Sequence, residues 1–339
     1  MPAAAHRRIV SIQLLGALGV EQGVSWDRCL AGTGVTPAML ADPEAEVSAA
    51  QELAVVANLV AAVDVPGLGV LAGQRYRLTS YGIWGFALVS SPTLRSAIAL
   101  GIRYLDLTFA FARIALEEAG GEARLCFEAE HLPSALQAFL VERDMAAVGV
   151  LQKALLGERP PGQTVSFRHS PPQNDRAHAA HFGVAPRFGA AENALRFDAA
   201  LLDRPLPQAD DHTRRVCEAQ CEALLRERQA RSGVAGQVRG LLLAEPARMP
   251  DMEQVAAQLH MTSRTLRRRL AAEQITFRGL QDEVRQMLAQ TWLTGGMLSV
   301  EQVAARLGYS EPASFIHAFK RWTGITPGFW SRGRHGYGD

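Results

Sequence analysis

Glu253-Gln254-Val255-Ala256-Ala257-Gln258-Leu259 returns as Glu301-Gln302-Val303-Ala304-Ala305-Arg306-Leu307, forty-eight residues later. Repetition on this scale marks a duplicated structural unit. A tight connection follows each copy, His260-Met261-Thr262 and then Gly308-Tyr309-Ser310. After each connection comes a second run, Arg264 to Leu270 and Ala313 to Arg321, in which Leu266 and Leu270 correspond to Phe315 and Phe319 at an offset of 49. The second turn is therefore one residue longer. Val255, Ala256 and Leu259, like Val303, Ala304 and Leu307, fall at i, i+1 and i+4, an apolar helical stripe whose alanines admit a close partner. Leu266 and Leu270, and in the second copy Phe315, Phe319 and Trp322, are expected to point inward. Each unit reads as helix, turn, helix, the arrangement whose second helix enters the DNA major groove.

The outward faces carry the chemistry. Arg264, Arg267 and Arg268 stand at i, i+3 and i+4 in the first copy; Ala313, Ser314, His317, Lys320 and Arg321 occupy the same face in the second. Arginine matches the N7 and O6 acceptors of guanine bidentately, while lysine and hydroxyls suit phosphates. Thr262 and Ser310 are expected to cap their helices, aiming free N–H groups at the backbone. On its own, the run Leu266 to Leu270 would read as a solvated helix face; its place in a duplicated unit makes it a DNA contact. Between the copies, Phe277 to Thr294 is apolar at Leu280, Val284, Leu288 and Thr291/Trp292. A helix of that length spans roughly 27 Å. It could hold two recognition helices about one DNA turn apart, roughly 34 Å.

The rest of the chain frames this reader. The length of 339 residues suggests two domains or three, and a content of 48% hydrophobic and 20% charged residues excludes a largely disordered chain. The longest uncharged stretch, Leu78 to Leu94, is broken by Gly82, Gly85 and Pro92, so no membrane span is expected. His6-Arg7-Arg8 ahead of Ile9–Val20 lacks the small-residue cleavage site of a leader. Four cysteines make no disulfide framework, and a reducing cytoplasm is the expected location. From Ala235 onward there are 13 Lys/Arg against 9 Asp/Glu; the preceding residues hold 22 against 25. A mildly acidic front and a basic back suit a sensor joined to a nucleic-acid reader.

The front region reads as α+β. Ser48–Asp64 is a capped helix, Ser90-Ser91-Pro92 opens a helix over Thr93–Leu107, and Gly120-Gly121 joins two hairpin arms, Phe109–Glu117 and Ala123–Glu130. Leu136–Leu156 reads as an amphipathic helix, with short strands at Thr164–His169 and Leu195–Phe197. Pro205-Leu206-Pro207 and Asp210-Asp211 mark a boundary. Three segments follow: an α+β effector-sensing or self-association domain over 1–207, a junction helix and hinge over 208–233, and an all-α reader with two helix-turn-helix motifs over 234–339.

On these residues the back region resembles the AraC/XylS family of bacterial transcription regulators. The resemblance is carried by Ala304 with Gly308-Tyr309, by Phe319-Lys320-Arg321 and by Gly324-Ile325-Thr326-Pro327. It implies a seven-helix reader and RNA polymerase as a partner alongside double-stranded promoter DNA. It places base reading on Arg264, Arg267, Arg268, Ala313, Ser314 and His317. His317 departs from the arginine common at its position, so the second helix is expected to read bases weakly while Thr262, Ser263, Lys320 and Arg321 hold phosphates. Tyr81–Ala87, Ser91–Leu94, Val165–His169 and Phe188–Ala190 with Asn193 are similar to the ornithine-utilisation-regulator branch, whose N-terminal domain is called arabinose-binding.

Other constellations point elsewhere more weakly. Cys217 and Cys221, near His212, read as packed thiols, and His169, His178 and His181 as polar decoration without a carboxylate at ligand spacing; no metal or cofactor is expected. No nucleophile elbow, zinc-protease motif, Walker loop or dinucleotide fingerprint occurs, so an enzyme is not expected. Tyr76, Tyr81, Trp84, Phe86, Arg103 and Tyr104 are candidates to line the pocket of an unidentified small-molecule effector. The chain reads as a ligand-controlled, dimeric activator; a ligand-independent dimeric regulator is the alternative.

Overall fold

The computed structural model describes residues 6–244, 246–294 and 298–332. The chain divides into two compact units, Met1–Arg228 and Gln229–Asp339.

The first unit contains β1 (His6–Arg8), α1 (Val10–Glu21), α2 (Trp26–Leu30), α3 (Pro37–Ala41), β2 (Glu46–Ser48), α4 (Ala49–Ala62), α5 (Leu68–Gly73), α6 (Ile83–Val89) and α7 (Leu94–Arg103). It continues with β3 (Arg113–Ala119), β4 (Glu122–Glu128), α8 (Ser134–Leu156), β5 (Thr164–Ser166), α9 (Arg176–Phe182) and β6 (Ala194–Asp198). Helix α10 (Asp211–Ser232) begins in this unit. Strands β1 and β2 form a small antiparallel pair; the other four make an antiparallel sheet in the order β3-β4-β6-β5. The unit is mixed α and β, as the sequence suggests. Ser48 caps α4 through a reciprocal bond pair with Gln51. Gly120 and Gly121, both at positive φ, close the β3–β4 hairpin. Helix α7 starts later than expected: Thr93, not a residue ahead of Pro92, is its cap, bonded to the N–H of Ser96.

Helix α8 corrects the amphipathic reading. Every residue from Phe139 to Ala147 is buried, so the helix runs through the core rather than along its surface. Helix α5 lies close against it because Gly69 and Gly73 have no side chain; a Cβ at either would run into the carbonyls of Phe139 or Arg143. The charges this buries are paired. Arg143 donates to Glu52 at 3.1 Å and to Asp144 at 2.8 Å, and Arg7 reaches the other oxygen of Glu52 at 3.2 Å. Asp144 also accepts the N–H groups of Phe111 and Ala112, both at 2.9 Å. Ser11 donates to Glu52 and bonds Tyr76, whose phenol burial pushes up to about 12. Two guanidiniums and two carboxylates thus neutralise each other where unpaired charge would be prohibitive.

The histidines are also more than surface decoration. His178 is fully buried with Nε2 at 2.8 Å from Glu142, and His169 lies 3.4 Å from the same oxygen. His181 bonds the Ala146 carbonyl at 3.0 Å, and burial lowers it to about 4. Glu142 lies well upstream of all three, so no local spacing announces it.

The second unit is all α. It holds α11 (Val234–Ala244), α12 (Met252–Gln258), α13 (Ser263–Ala272), α14 (Phe277–Thr294), α15 (Val300–Arg306), α16 (Pro312–Thr323) and α17 (Pro327–Arg332), seven helices among the described residues. Two cores form, one around Val255, Ala256, Leu266 and Leu270, the other around Val303, Ala304, Phe315 and Phe319. Helix α14 serves both. Leu280 and Val284 enter the first core, Ala289 and Leu293 the second, and Leu288 touches each. Thr291, expected in the apolar stripe, is exposed and bonds back to the Met287 carbonyl.

Candidate nucleic-acid interface

Each helix-turn-helix is built the same way from local signals. Asp251 caps α12 in a reciprocal box with Gln254, and Ser299 caps α15 in one with Gln302. Both boxes are legible as Asp/Ser-x-x-Gln ahead of the repeat, a signal the sequence reading passed over. Each first helix ends in the same pair of bonds: His260 to Ala257 and Met261 to Ala256 in one copy, Gly308 to Ala305 and Tyr309 to Ala304 in the other. The two turns therefore superpose in bonding although their sequences differ.

The recognition helices diverge at their starts. Thr262 caps α13, accepting the Thr265 N–H at 3.2 Å. Ser310 does not cap α16. The extra residue in that turn moves the N-cap to Glu311, which makes no side-chain cap, and Pro312 fills the first helical turn, where no N–H is needed.

The outer faces are open. Arg264, Arg267 and Arg268 are exposed on α13 while Leu266 and Leu270 are buried beneath them. Arg267 reaches the Met252 sulfur, at 3.8 Å. Ala313, Ser314, His317, Lys320 and Arg321 are exposed on α16 above buried Phe315, Ala318 and Phe319. Thr262 is exposed and Ser263 half-buried beside it. Arg321 is already engaged, its guanidinium 3.4 Å from Asp282 on α14, a pairing with no local sequence signal.

The effector candidates are split by the structure. Tyr76, Tyr81 and Trp84 come together with Phe109, ring centroids 4.9–6.3 Å apart. Phe86 does not join them; it is 57% exposed, on the opposite face of α6 from buried Trp84. Arg103 and Tyr104 face α10 instead. Arg103 pairs with Glu218 at 3.0 Å and Glu222 at 3.5 Å, and the Tyr104 hydroxyl donates to Glu222 at 3.4 Å. Adjacency to aromatic residues suggested a pocket; the helical period carries these two past it. Cys217 and Cys221 of α10 are buried in the first unit's core, and burial raises both thiols.

Comparison with known proteins gives this geometry its setting. Residues 23–206 match the family described as the arabinose-binding domain of AraC transcription regulators, and residues 255–333 match a helix-turn-helix domain. The chain belongs to the AraC/XylS family of transcription regulators. It is 37% identical to an uncharacterized HTH-type transcriptional regulator of Mycobacterium tuberculosis, covering 98% of each chain. It is 34% identical to the ornithine utilization regulator of Pseudomonas aeruginosa over 91% of each. The crystal structure of the transcriptional regulator CdpR from Pseudomonas aeruginosa aligns with 95% of this chain and 98% of that one, at 26% identity and a TM-score of 0.48. This AraC/XylS regulator accordingly binds DNA through its helix-turn-helix region and carries a sensor-like domain ahead of it. Family membership agrees with the expectation that the chain is not an enzyme. Among the described residues no helix is long and apolar enough to cross a membrane.

Proposed function

We propose that this regulator reads two successive major-groove segments of promoter DNA, α13 by base recognition and α16 mainly by position. Arg264, Arg267 and Arg268 contact base edges; Ala313, Ser314 and His317 lie against the second segment. Thr262, Ser263, Lys320 and Arg321 hold phosphates. The observation that carries this reading is the row of three exposed arginines on α13, set on one of two cores that share α14. The regulator works as a cytoplasmic homodimer that recruits RNA polymerase and activates transcription. Its residues 1–207 sense a small molecule, 208–233 form the junction, and 234–339 read DNA.

Effector control is supported by the contacts of α7 with α10 through Arg103, Tyr104, Glu218 and Glu222. A ligand bound in the first unit acts only through a difference in affinity between two states of the regulator. The test is selection of bound sequences from a random duplex pool by the full chain at two salt concentrations. One strongly enriched block, read by α13, is expected, with at most weak enrichment about one helical turn away where α16 lies. No enrichment, with steep salt dependence, overturns sequence-specific reading.

A further inference from the structure

Gly233 alone stands between α10 and α11, and its carbonyl accepts the first helical bond of α11, from Gln237 at 3.1 Å. A residue in this N-cap place ordinarily satisfies the free N–H groups behind it with a side-chain oxygen, and glycine has none. The oxygens come instead from Glu273, 39 positions beyond Val234. Glu273 Oε1 accepts the N–H of Val234 at 2.8 Å, and Oε2 accepts that of Ala235 at 3.0 Å. A carboxylate placed there also meets the positive end of the helix dipole. Glycine is what admits it: a Cβ at Gly233 would lie 2.6 Å from Glu273 Oε2.

The backbone of Glu273 belongs to the reading helix. Glu273 is the C-cap of α13: its N–H bonds the carbonyls of Arg269 and Leu270, Gln274 follows at a φ of 57°, and the Ile275 N–H returns to the Leu270 carbonyl at 3.1 Å. Ile275 then packs against the first core, so this last turn is carried rigidly by α13. Ala235 and Val238 of α11 share that core with Leu266 and Leu270 of α13. Apolar packing of this kind holds two helices together but is non-directional, whereas a two-pronged bond has a direction. We infer that Glu273 is a positioning residue for DNA reading. It sets the attitude of α13 against the break between α10 and α11, and through that helix it sets where Arg264, Arg267 and Arg268 meet the base edges. The inference rests on base reading by α13. Bonds to base edges weaken steeply with angle, while the charge attraction to phosphates survives a small tilt. Loss of the bridge therefore lowers discrimination between sequences more than it lowers affinity for duplex DNA.

The test is the ratio of the full chain's affinities for the selected operator and for a scrambled duplex, measured well below the melting temperature. Glu273→Asp keeps the charge but is one methylene short of the two N–H groups; Glu273→Gln keeps the reach and one acceptor oxygen but loses the charge. Glu273→Asp is expected to lower the ratio about fivefold, the scale set by loss of a helix cap, and Glu273→Gln to lower it less. Gly233→Ala, which displaces the carboxylate without altering any charge, should reproduce Glu273→Asp. Hydrogen exchange at the Val234 and Ala235 amides, read by NMR, should quicken in both. A ratio kept in Glu273→Asp but changed in Glu273→Gln would make Glu273 an electrostatic influence on DNA and overturn positioning. A lowered melting temperature with an unchanged ratio would leave Glu273 a structural cap and overturn it too. Alanine at Arg264, Arg267 and Arg268 together is measured alongside. If that variant lowers the ratio while Glu273→Asp and Gly233→Ala do not, base reading by α13 stands and positioning falls. If it leaves the ratio unchanged, base reading itself falls, and the positioning of those arginines with it.

Discussion

His260 and Gly308 hold the same place in the two turns and share a left-handed backbone, with φ of 54° and 78°. Only one of them is a glycine. At Gly308 a Cβ would also lie 2.7 Å from the Ala247 carbonyl oxygen, so two constraints meet there. A non-glycine residue pays roughly 1–2 kcal/mol for this conformation. Gly308→Ala is therefore expected to destabilise the second unit by about 2–4 kcal/mol. His260→Gly should change stability by less than about 1 kcal/mol, because relief of strain is offset by a more flexible unfolded chain. Urea unfolding followed by the fluorescence of Trp292, Trp322 and Trp330, which pack in the second core, separates the two.

The exposed arginines of α13 should affect binding and leave folding alone. Arg268→Ala is expected to cost about 1–3 kcal/mol of operator affinity and relax one base preference, with the melting temperature unchanged. A loss uniform across all duplex sequences would move Arg268 to the phosphate class.

Asp282 holds a negative charge beside Arg321 on the exposed face of α16. Exposed pairs of this kind contribute no more than about 1 kcal/mol to stability. Asp282→Asn should therefore leave folding nearly intact, raise affinity for duplex DNA several-fold and steepen its salt dependence. An unchanged salt slope would mean that Arg321 does not reach a phosphate.

Glu52 joins two buried arginines, and its removal leaves both short of a partner. Glu52→Gln is expected to destabilise the first unit by about 3–5 kcal/mol, the usual cost of breaking a buried pair. Calorimetry should show the low-temperature shift in the first unit's transition.

Burial holds the His181 imidazole at about 4, below the roughly 6.5 of an exposed histidine. Between those values the unfolded chain takes up a proton that the folded chain refuses, so this contribution is intact above pH 6.5 and is lost as pH falls toward 4. His181→Gln, which keeps a donor for the Ala146 carbonyl, should make the fall of melting temperature across that window shallower.

The reader was legible because its information is local. A capped helix, a turn and a second helix lie within some twenty residues, and their duplication let each copy check the other. Where one inserted residue shifted the register, the cap expected at Ser310 went to Glu311. The sensor was less legible because its organisation is long-range. Strand β4 pairs with β6 across two helices and the strand β5, and Arg7, Glu52 and Arg143 meet from three distant segments. Charged residues on α8 suggest a solvated face; only their partners elsewhere make a buried position tolerable. Arg103 and Tyr104 follow the same logic, since the acids that claim them lie more than a hundred residues onward on α10.

A single helix, α14, is the spine of both cores, and that makes it a gauge that cannot be adjusted in small steps. One residue added at its middle would advance the second reader about 1.5 Å and swing it about 100° round the axis. Leu280 and Val284 would then part from the alignment that seats Ala289 and Leu293. Only a change near seven residues, close to two full turns, would restore both seats. On the proposed two-segment reading, the length of α14 would therefore set the spacing of the DNA segments this chain can engage.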